Sequence, residues 1–524
     1  MATGCCSLSC CCKATLIITI IIGLLFCGAG VFLVLRHEQL FENMLAKKMP
    51  LSESSSTFDS FKNPPADIYM KFYFFNLTNA EDVMVNGSKP QFTEIGPYSY
   101  KNMRVKSNIE FSSDGVEISY DEAKFYEFDR EASAGSDEDT FINLDLVAYK
   151  ITKQAYDKGS APLLLKTLVR LGREKPFTEY VVKDFLFGAE DKLIKKATKL
   201  AGVEVPHNVF GILIDKATGE SMNGSIAGNY TLNTGVANLA DYQQVIAYNG
   251  MKRLNDVWPV NITDPTTGEV VDPNVIRGTL GTGFAPFVKE DSILTAFAAD
   301  LCAAIDFKFN TTSQVGPLAT KRFMIDVENW RKYVGDMNRA MCDEEDRNDP
   351  IKCVQDGILN ATNCKGAALM MSLPHFMDAD PFYQGLVEGL EPNREKHSIY
   401  LDIDPVTGAA VDVAKRMQIN VRLFRMDFKN YDQLPEYTLM PIMWLEESGG
   451  VRPDGLERLK AKVHDKFSML KNGGYIVLIV GIALLPIGII VFLIAKQKCI
   501  KRNNNRAYQM NVYGNGMEKE PFRA

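Results

Sequence analysis

Two uninterrupted apolar runs stand near the ends of the chain. Ala14 to Leu35 carries no charge and is bounded by Lys13 and Arg36; Asn472 to Ala495 is bounded by Lys471 and Lys496. As helices, at about 1.5 Å per residue, the runs reach roughly 33–36 Å, enough to cross a hydrocarbon core of about 30 Å. The pattern predicts membrane helices at 14–35 and 472–495, with tails at 1–13 and 496–524 and one large block, 36–471, between them. A cleaved leader is the rival reading of the first run, since Cys27 and Ala29 resemble a small-residue cleavage site. The apolar part of a leader is usually shorter, about 7–15 residues.

Inside the block the period changes. Ile68-Tyr-Met-Lys-Phe-Tyr-Phe-Phe75 is β-branched and aromatic, and Arg416–Phe424 alternates polar with apolar; both patterns predict strands. One turn grammar occurs at Asp215-Lys-Ala-Thr-Gly219, Asp264-Pro-Thr-Thr-Gly268 and Asp404-Pro-Val-Thr-Gly408. Asp opens such a turn by accepting from nearby backbone, and Gly closes it at positive φ. Each joins strand-like runs, which predicts antiparallel hairpins. From 145 to 202 the spacing is helical instead. Pro162 suits a first turn, with Leu164, Leu165, Leu168 and Leu171 following before Gly172. Val182, Phe185, Leu186, Leu193, Ala197 and Leu200 form a second stripe that ends at Gly202. No linker or internal repeat divides the block, so it reads as one large unit.

Flanking charge orients the spans. Lys496, Lys498, Lys501, Arg502 and Arg506 follow the second run, and short basic flanks stay in the cytosol. Both tails are then cytosolic and the block is extracellular or lumenal. The seven Asn-x-Ser/Thr sequons, at Asn76, Asn86, Asn223, Asn229, Asn261, Asn310 and Asn360, all fall in that block, as glycosylation requires. Cysteines divide in the same way. Cys5, Cys6, Cys10, Cys11, Cys12 and Cys499 lie at the cytosolic faces, where juxtamembrane cysteines accept palmitate. A metal site is disfavoured there, since no histidine accompanies the run and the membrane follows at once. The block holds Cys302, Cys342, Cys353 and Cys364, which suggests two disulfides among three possible pairings. The block also carries 50 Lys and Arg against 63 Asp and Glu, a net of −13. That balance argues against a nucleic-acid or polyanion receptor acting through bulk charge.

Catalytic signatures are weak. Gly219-Glu-Ser221-Met-Asn223 lacks the last Gly of a nucleophile elbow. Gly278-Thr-Leu-Gly-Thr-Gly283 has Walker-like glycines, but Phe284 and Ala285 stand where Lys and Ser/Thr belong. Asp402-Ile-Asp404 lacks the Gly and Glu of a calcium loop. The residues suggest neither an enzyme nor a bound cofactor.

An ordered set of blocks carries a resemblance. Asn63-Pro-Pro-Ala-Asp-Ile-Tyr69, Phe72-Tyr-Phe-Phe-Asn-Leu-Thr-Asn79 and Gly96-Pro-Tyr-Ser-Tyr100 come first. Asp184-Phe-Leu-Phe-Gly188, Ser372-Leu-Pro-His-Phe376 and Glu388-Gly-Leu-Glu-Pro-Asn393 follow, then His397, Asp402–Gly408, Lys415–Asn420 and Pro441–Glu447. In this order, over nearly the whole chain, they closely resemble the class B scavenger receptors, a group of fatty-acid translocases, high-density-lipoprotein receptors and lysosomal membrane proteins. The resemblance implies an α+β ectodomain: an antiparallel β-barrel core with short helices, a helical apex bundle matching 145–202, and two transmembrane anchors. It implies a hydrophobic tunnel leading toward the membrane, and the pairings Cys302–Cys364 and Cys342–Cys353. The implied ligands are lipids, namely fatty acids or sterols, and lipoprotein particles, with a protein ligand at the apex as a further option. Arg170, Arg173 and Lys175 lie in the matching segment as candidate captors of anionic ligands. The alternative is a lysosomal receptor escorting a lumenal hydrolase. The tail Glu518–Ala524 has no acidic dileucine signal, which favours the plasma membrane over the lysosomal membrane.

Overall fold

The computed structural model describes residues 3–514, apart from 160, 195, 197–206, 216–217, 259–260, 264–267 and 269. The chain separates into two compact units: the two ends, Met1–Lys47 with Leu459–Ala524, and the intervening Lys48–Arg458.

The end unit is a pair of helices, Thr3–Leu45 and Asp465–Gly514. Both contain a stretch long and apolar enough to cross a membrane. Glycines bring them together. A Cβ added at Gly30 would lie 2.5 Å from the backbone of Leu478, and one at Gly481 would lie 2.6 Å from the backbone of Cys27. Gly23 faces Leu485, Gly474 faces Leu33 and Val34, and Gly488 faces Thr19. Small residues repeating every seven positions let two backbones approach where lipid offers no hydrophobic drive for association.

The middle unit is built on an antiparallel sheet of 13 strands. These are β1 (Ala66–Leu77), β2 (Phe92–Phe111), β3 (Glu117–Phe128), β4 (Ile226–Asn233), β5 (Val245–Tyr248), β6 (Leu294–Ala298), β7 (Ala303–Val315), β8 (Leu318–Ile325), β9 (Ile358–Asn360), β10 (Met370–Ser372), β11 (Tyr400–Ile403), β12 (Ala410–Phe424) and β13 (Tyr437–Val451). Their order is β6-β7-β8-β11-β12-β13-β1-β2-β3-β4-β5, with β10 also pairing β12 and β9 pairing β10. The strand at 68–75 and the strand at 416–424 are the cores of β1 and β12.

The sheet is nearly closed, and the glycine-rich stretch that resembles a phosphate loop provides the seam. The edge strands are β5 and β6. The Val245 N–H donates to the Gly278 carbonyl at 2.8 Å, the Thr279 N–H to the Thr295 carbonyl at 3.0 Å, and the Phe297 N–H to the Thr279 carbonyl at 2.7 Å. One short segment thus bonds to both edges. Gly278 sits at φ +88, and a Cβ there would lie 2.5 Å from the Thr295 carbonyl oxygen. Closure removes edges that would otherwise offer unpaired backbone groups.

The turn grammar holds where it is described. The Asp404 carboxylate accepts from the Thr407 N–H at 3.1 Å, and Gly408 lies at φ +74 between β11 and β12. Asp215 accepts from the Thr218 N–H at 2.8 Å in the same manner, with Gly219 at φ +75. Asp264–Thr267 lie outside the described residues, but Ile262–Thr263 and Val270–Val271 pair on either side of them.

The segment from 145 is helical only in part. Helices Leu146–Asp157 and Ala161–Leu171 are joined to a strand pair, Thr140–Leu144 with Phe177–Val181. The expected second stripe is not one helix. Val182, Phe185 and Leu186 are buried in the short helix Val182–Phe187, which stops at Gly188, φ +100. Ala197, Leu200 and Gly202 lie outside the described residues. A helix the periodicity did not single out, Val327–Ala340, packs Val334 and Met337 into a core with Phe307 and Phe323. The larger core gathers Phe72, Phe74, Phe141, Phe185 and Trp444 between the sheet and the helical segment.

Candidate ligand-binding interior

Residues of β2 and β3 alternate between two environments. Met103, Val105 and Phe125 are exposed on one face. Asn102, Tyr120 and Glu122 are buried on the other, where Arg104 pairs across to Lys124 and Lys106 to Glu122. Register carries this second face round the sheet: Tyr100 opposes Met70, Met70 opposes Glu447, and Glu447 opposes Lys415. Tyr120 opposes Tyr230, and Tyr230 opposes Tyr248.

This face is the inside of the barrel. Lys415 of β12 holds Asp300, in the β6–β7 turn, at 2.6 Å. Lys124 of β3 and Lys365 act on the same carboxylate, and with Lys415, the largest influence, they hold Asp300 well below the usual carboxylate range. Strands β3 and β12 are separated by β13, β1 and β2 along the sheet, so these groups meet only across the enclosed space. Asp300 is surrounded by protein, yet half of its side-chain surface (50 %) remains accessible. Lys124 is likewise half-buried while enclosure pushes its ammonium pKa down. Both conditions hold together when the accessible surface faces an internal cavity.

The inner face carries charge as well as aromatic surface. Arg104 pairs with Glu122 at 3.8 Å and with Glu447. Lys106 lies over the rings of Phe61 and Tyr120, 4.8 and 5.6 Å from their centroids. Aromatic groups line the rest: Tyr126, Tyr230 and Tyr248, with Tyr248 meeting Phe297 across the seam at 5.8 Å. Neither Arg104, Lys106 nor Lys124 was singled out from sequence. Their strands carry a period of two, but which face is inside depends on partners hundreds of residues away.

The histidines of the family-like blocks have a packing role. The rings of His375 and His397 stack at 4.4 Å. His375 Nδ1 accepts the Glu391 N–H at 2.9 Å, so its proton is on Nε2, facing Glu94 at 2.6 Å. The Trp444 indole N–H donates to the same carboxylate at 2.6 Å, and Trp444 stacks on Tyr73 at 3.8 Å. His397 Nδ1 accepts the Asn393 N–H at 3.0 Å. Burial, and after it the neighbouring His375, pushes the pKa of His397 down to about 4. The knot fastens the loop 388–393 to β2 and β13.

The remaining sequence candidates are scattered. Cys302 is joined to Cys364 and Cys342 to Cys353. Asn86, Asn223, Asn261 and Asn310 are exposed, while Asn76, Asn229 and Asn360 are half-buried. The Asn229 amide donates to Asp121 at 2.8 Å, and Asn76 accepts from the Ile142 N–H at 2.8 Å. The side chains of Cys5, Cys6, Cys10, Cys11, Cys12 and Cys499 lie outside those described. Arg170, Arg173 and Lys175 do not form one free cationic patch. Arg170 and Lys175 are exposed, but Arg173 is tied to Asp145 by two hydrogen bonds and to Asp191 at 3.0 Å. It fastens the helix Ala161–Leu171 to its neighbours.

The sequence profile of the CD36 family matches residues 19–492. Lysosome membrane protein 2 of Homo sapiens is 29% identical over 451 residues, 85% of this chain and 87% of its own length. Scavenger receptor class B member 1 of Bos taurus is 28% identical over 485 residues, 91% and 89% of the two chains. The Rattus norvegicus form of that receptor is 29% identical over 484 residues, again 91% and 89%. With the family profile running from the first apolar helix through every strand of the sheet into the second, the chain belongs to the CD36 family.

Proposed function

We propose that this protein is a class B scavenger-type receptor of the cell surface that takes lipid into the interior of its closed sheet and passes it to the membrane holding its two helices. The observation that supports this reading is the nearly closed sheet, on whose inner face Asp300 and Lys124 keep accessible surface. Removing a lipid chain from water is favourable by about 25 cal/mol per Å² of apolar surface. A barrel lined by Tyr230, Tyr248 and Phe297 offers such a refuge without any reacting group. Lipids or lipoprotein particles are the ligands, and the helical segment with exposed Arg170 and Lys175 is the docking surface for a particle or a protein. The relatives include a lysosomal protein, and escort of a lumenal hydrolase is the alternative.

Native mass spectrometry of the purified full chain is expected to find bound lipid. Trp in place of Val413, on the inner face beside Lys415, is expected to slow lipid uptake while surface display is retained. Unchanged uptake by this variant, with the narrowed interior verified by structure, would sink the conduit reading and leave a docking receptor.

A further inference from the structure

The second membrane helix carries basic charge on both sides of its apolar run. Lys496, Lys498, Lys501 and Arg502 follow the run, and Lys460, Lys462, Lys466 and Lys471 precede it, with Asp465 as the one acid among them. A bias that orients a span needs basic residues on one side alone, so the collar next to the middle block asks for another reason. Here the chain passes through a π turn, Lys460–His464, into the helix Asp465–Gly514. Two stripes on this helix differ in what they face. Phe467 meets His37 and Phe41 at 5.4 and 5.2 Å, and seven positions on, Gly474 faces Leu33 and Val34. That side lies against the first helix. Lys462, Lys466, Met469, Gly473, Ile476 and Val480, spaced by four and three, form the other. Nothing lies within 4 Å of a Cβ at Gly473, and Met469, Ile476 and Val480 are 72, 61 and 41 % exposed. Lys462 and Lys466 are exposed and have no ion-pair partner among the described residues, the last pair along this stretch being Arg458–Asp454 at 2.6 Å.

Within the bilayer this stripe faces acyl chains, because the helix turns its other side to its partner. Continued out of the bilayer, the same stripe faces the headgroups of those lipids. At about 1.5 Å per residue, Met469 stands roughly 5 Å and Lys466 roughly 9 Å beyond the apolar run, against a headgroup layer of about 5–7 Å on each side of the core. The flexible four-carbon stem of a lysine covers that difference. Lys462, roughly 15 Å out, is still within about a Debye length of the layer. We infer that Lys462, Lys466 and Met469 form a docking surface for anionic phospholipid in the leaflet next to the middle block, the lysines pairing with phosphate and the Met469 thioether seated below them at the edge of the acyl layer. Charge decides the occupant. A cationic face without carboxylate partners, directly above a lipid-facing stripe, is complementary to a phosphate-bearing surface. The inference rests on the two spans and not on lipid entry into the sheet, so either can fail alone.

The test places the photo-crosslinking residue p-benzoylphenylalanine at Met469 in the full chain. The protein is reconstituted in vesicles of phosphatidylcholine with a minor share of phosphatidylglycerol of the same acyl chains. Mass spectrometry of the adducts is expected to find phosphatidylglycerol about threefold or more above its share of the bilayer. Lys462→Gln with Lys466→Gln is expected to return the adducts to that share, and Lys462→Arg with Lys466→Arg to keep the enrichment. Lys496→Gln with Lys498→Gln, at the far end of the span, is expected to leave it unchanged. Raised salt is expected to reduce it. Adducts at the bulk share with the lysines intact, or the same enrichment after both are lost, would overturn the inference. Crosslinks to protein in place of lipid would assign the face to a second copy or another partner and overturn it too. Abolition of the enrichment by millimolar inorganic phosphate at constant ionic strength would assign the face to a soluble anion, with the same consequence.

Discussion

At the scale of single residues, the sharpest constraints come from groups with no room to change. His397 keeps Nδ1 unprotonated to accept the Asn393 N–H, and its pKa is pushed down to about 4 from an ordinary 6.5. A folded pKa below the unfolded one contributes stability that is complete above about pH 6.5 and lost as pH falls toward 4, at most about 3 kcal/mol. Thermal unfolding of the full chain is expected to show Tm falling across that window, and His397→Gln is expected to flatten the fall. Equal slopes for the two proteins would refute the assignment. Gly278 is constrained sterically, by φ +88 and by the Thr295 carbonyl 2.5 Å from any Cβ. Gly278→Ala is expected to lower stability by about 1–3 kcal/mol, read as a lower Tm, because the seam has to open to admit the methyl group. Both residues were visible in the sequence, one as a family-like block and the other as a false phosphate loop. Neither role was, because His397 is explained by Glu94, His375 and Trp444, and Gly278 by two strands that it joins.

At the scale of elements, the period of the chain was a good guide where one surface decided it. The continuous apolarity of 14–35 and 472–495 required helices whatever their neighbours. What it did not indicate is how they pair. Gly30 faces Leu478 at 2.5 Å, whereas nothing lies within 4 Å of a Cβ at Gly28. Gly30→Leu is therefore expected to reduce cross-linking between the two helices, with Gly28→Leu as the control that leaves it intact. Loss of cross-linking in both, or in neither, would count against the glycine seam. The same period misled past Phe187, where an apolar spacing of three and four continued through Gly188 although the helix ended there. It also passed over Val327–Ala340, whose apolar positions are few and mixed with charge.

At the scale of the whole molecule, the chain is a two-span membrane protein of the CD36 family with a nearly closed sheet between its anchors. Epitopes placed at both ends are expected to survive protease applied to intact cells, given the basic flank after Ala495 and the confinement of the sequons to the middle block. Loss of either epitope would reverse the orientation. The sequence by itself determined the anchors, the antiparallel hairpins and the division of cysteines and sequons between the ends and the middle block. These follow from local quantities: length, charge, period two and the φ demanded of a turn glycine. Only the tertiary structure decided which face of β2 and β3 is inside, and so that Lys106 and Lys124 lie on the inner face while Met103 and Phe125 face out. Alternation defines two faces but is symmetric between them. The symmetry is broken by Glu447 and Lys415 across the sheet and by the closure at Gly278, contacts that span most of the chain.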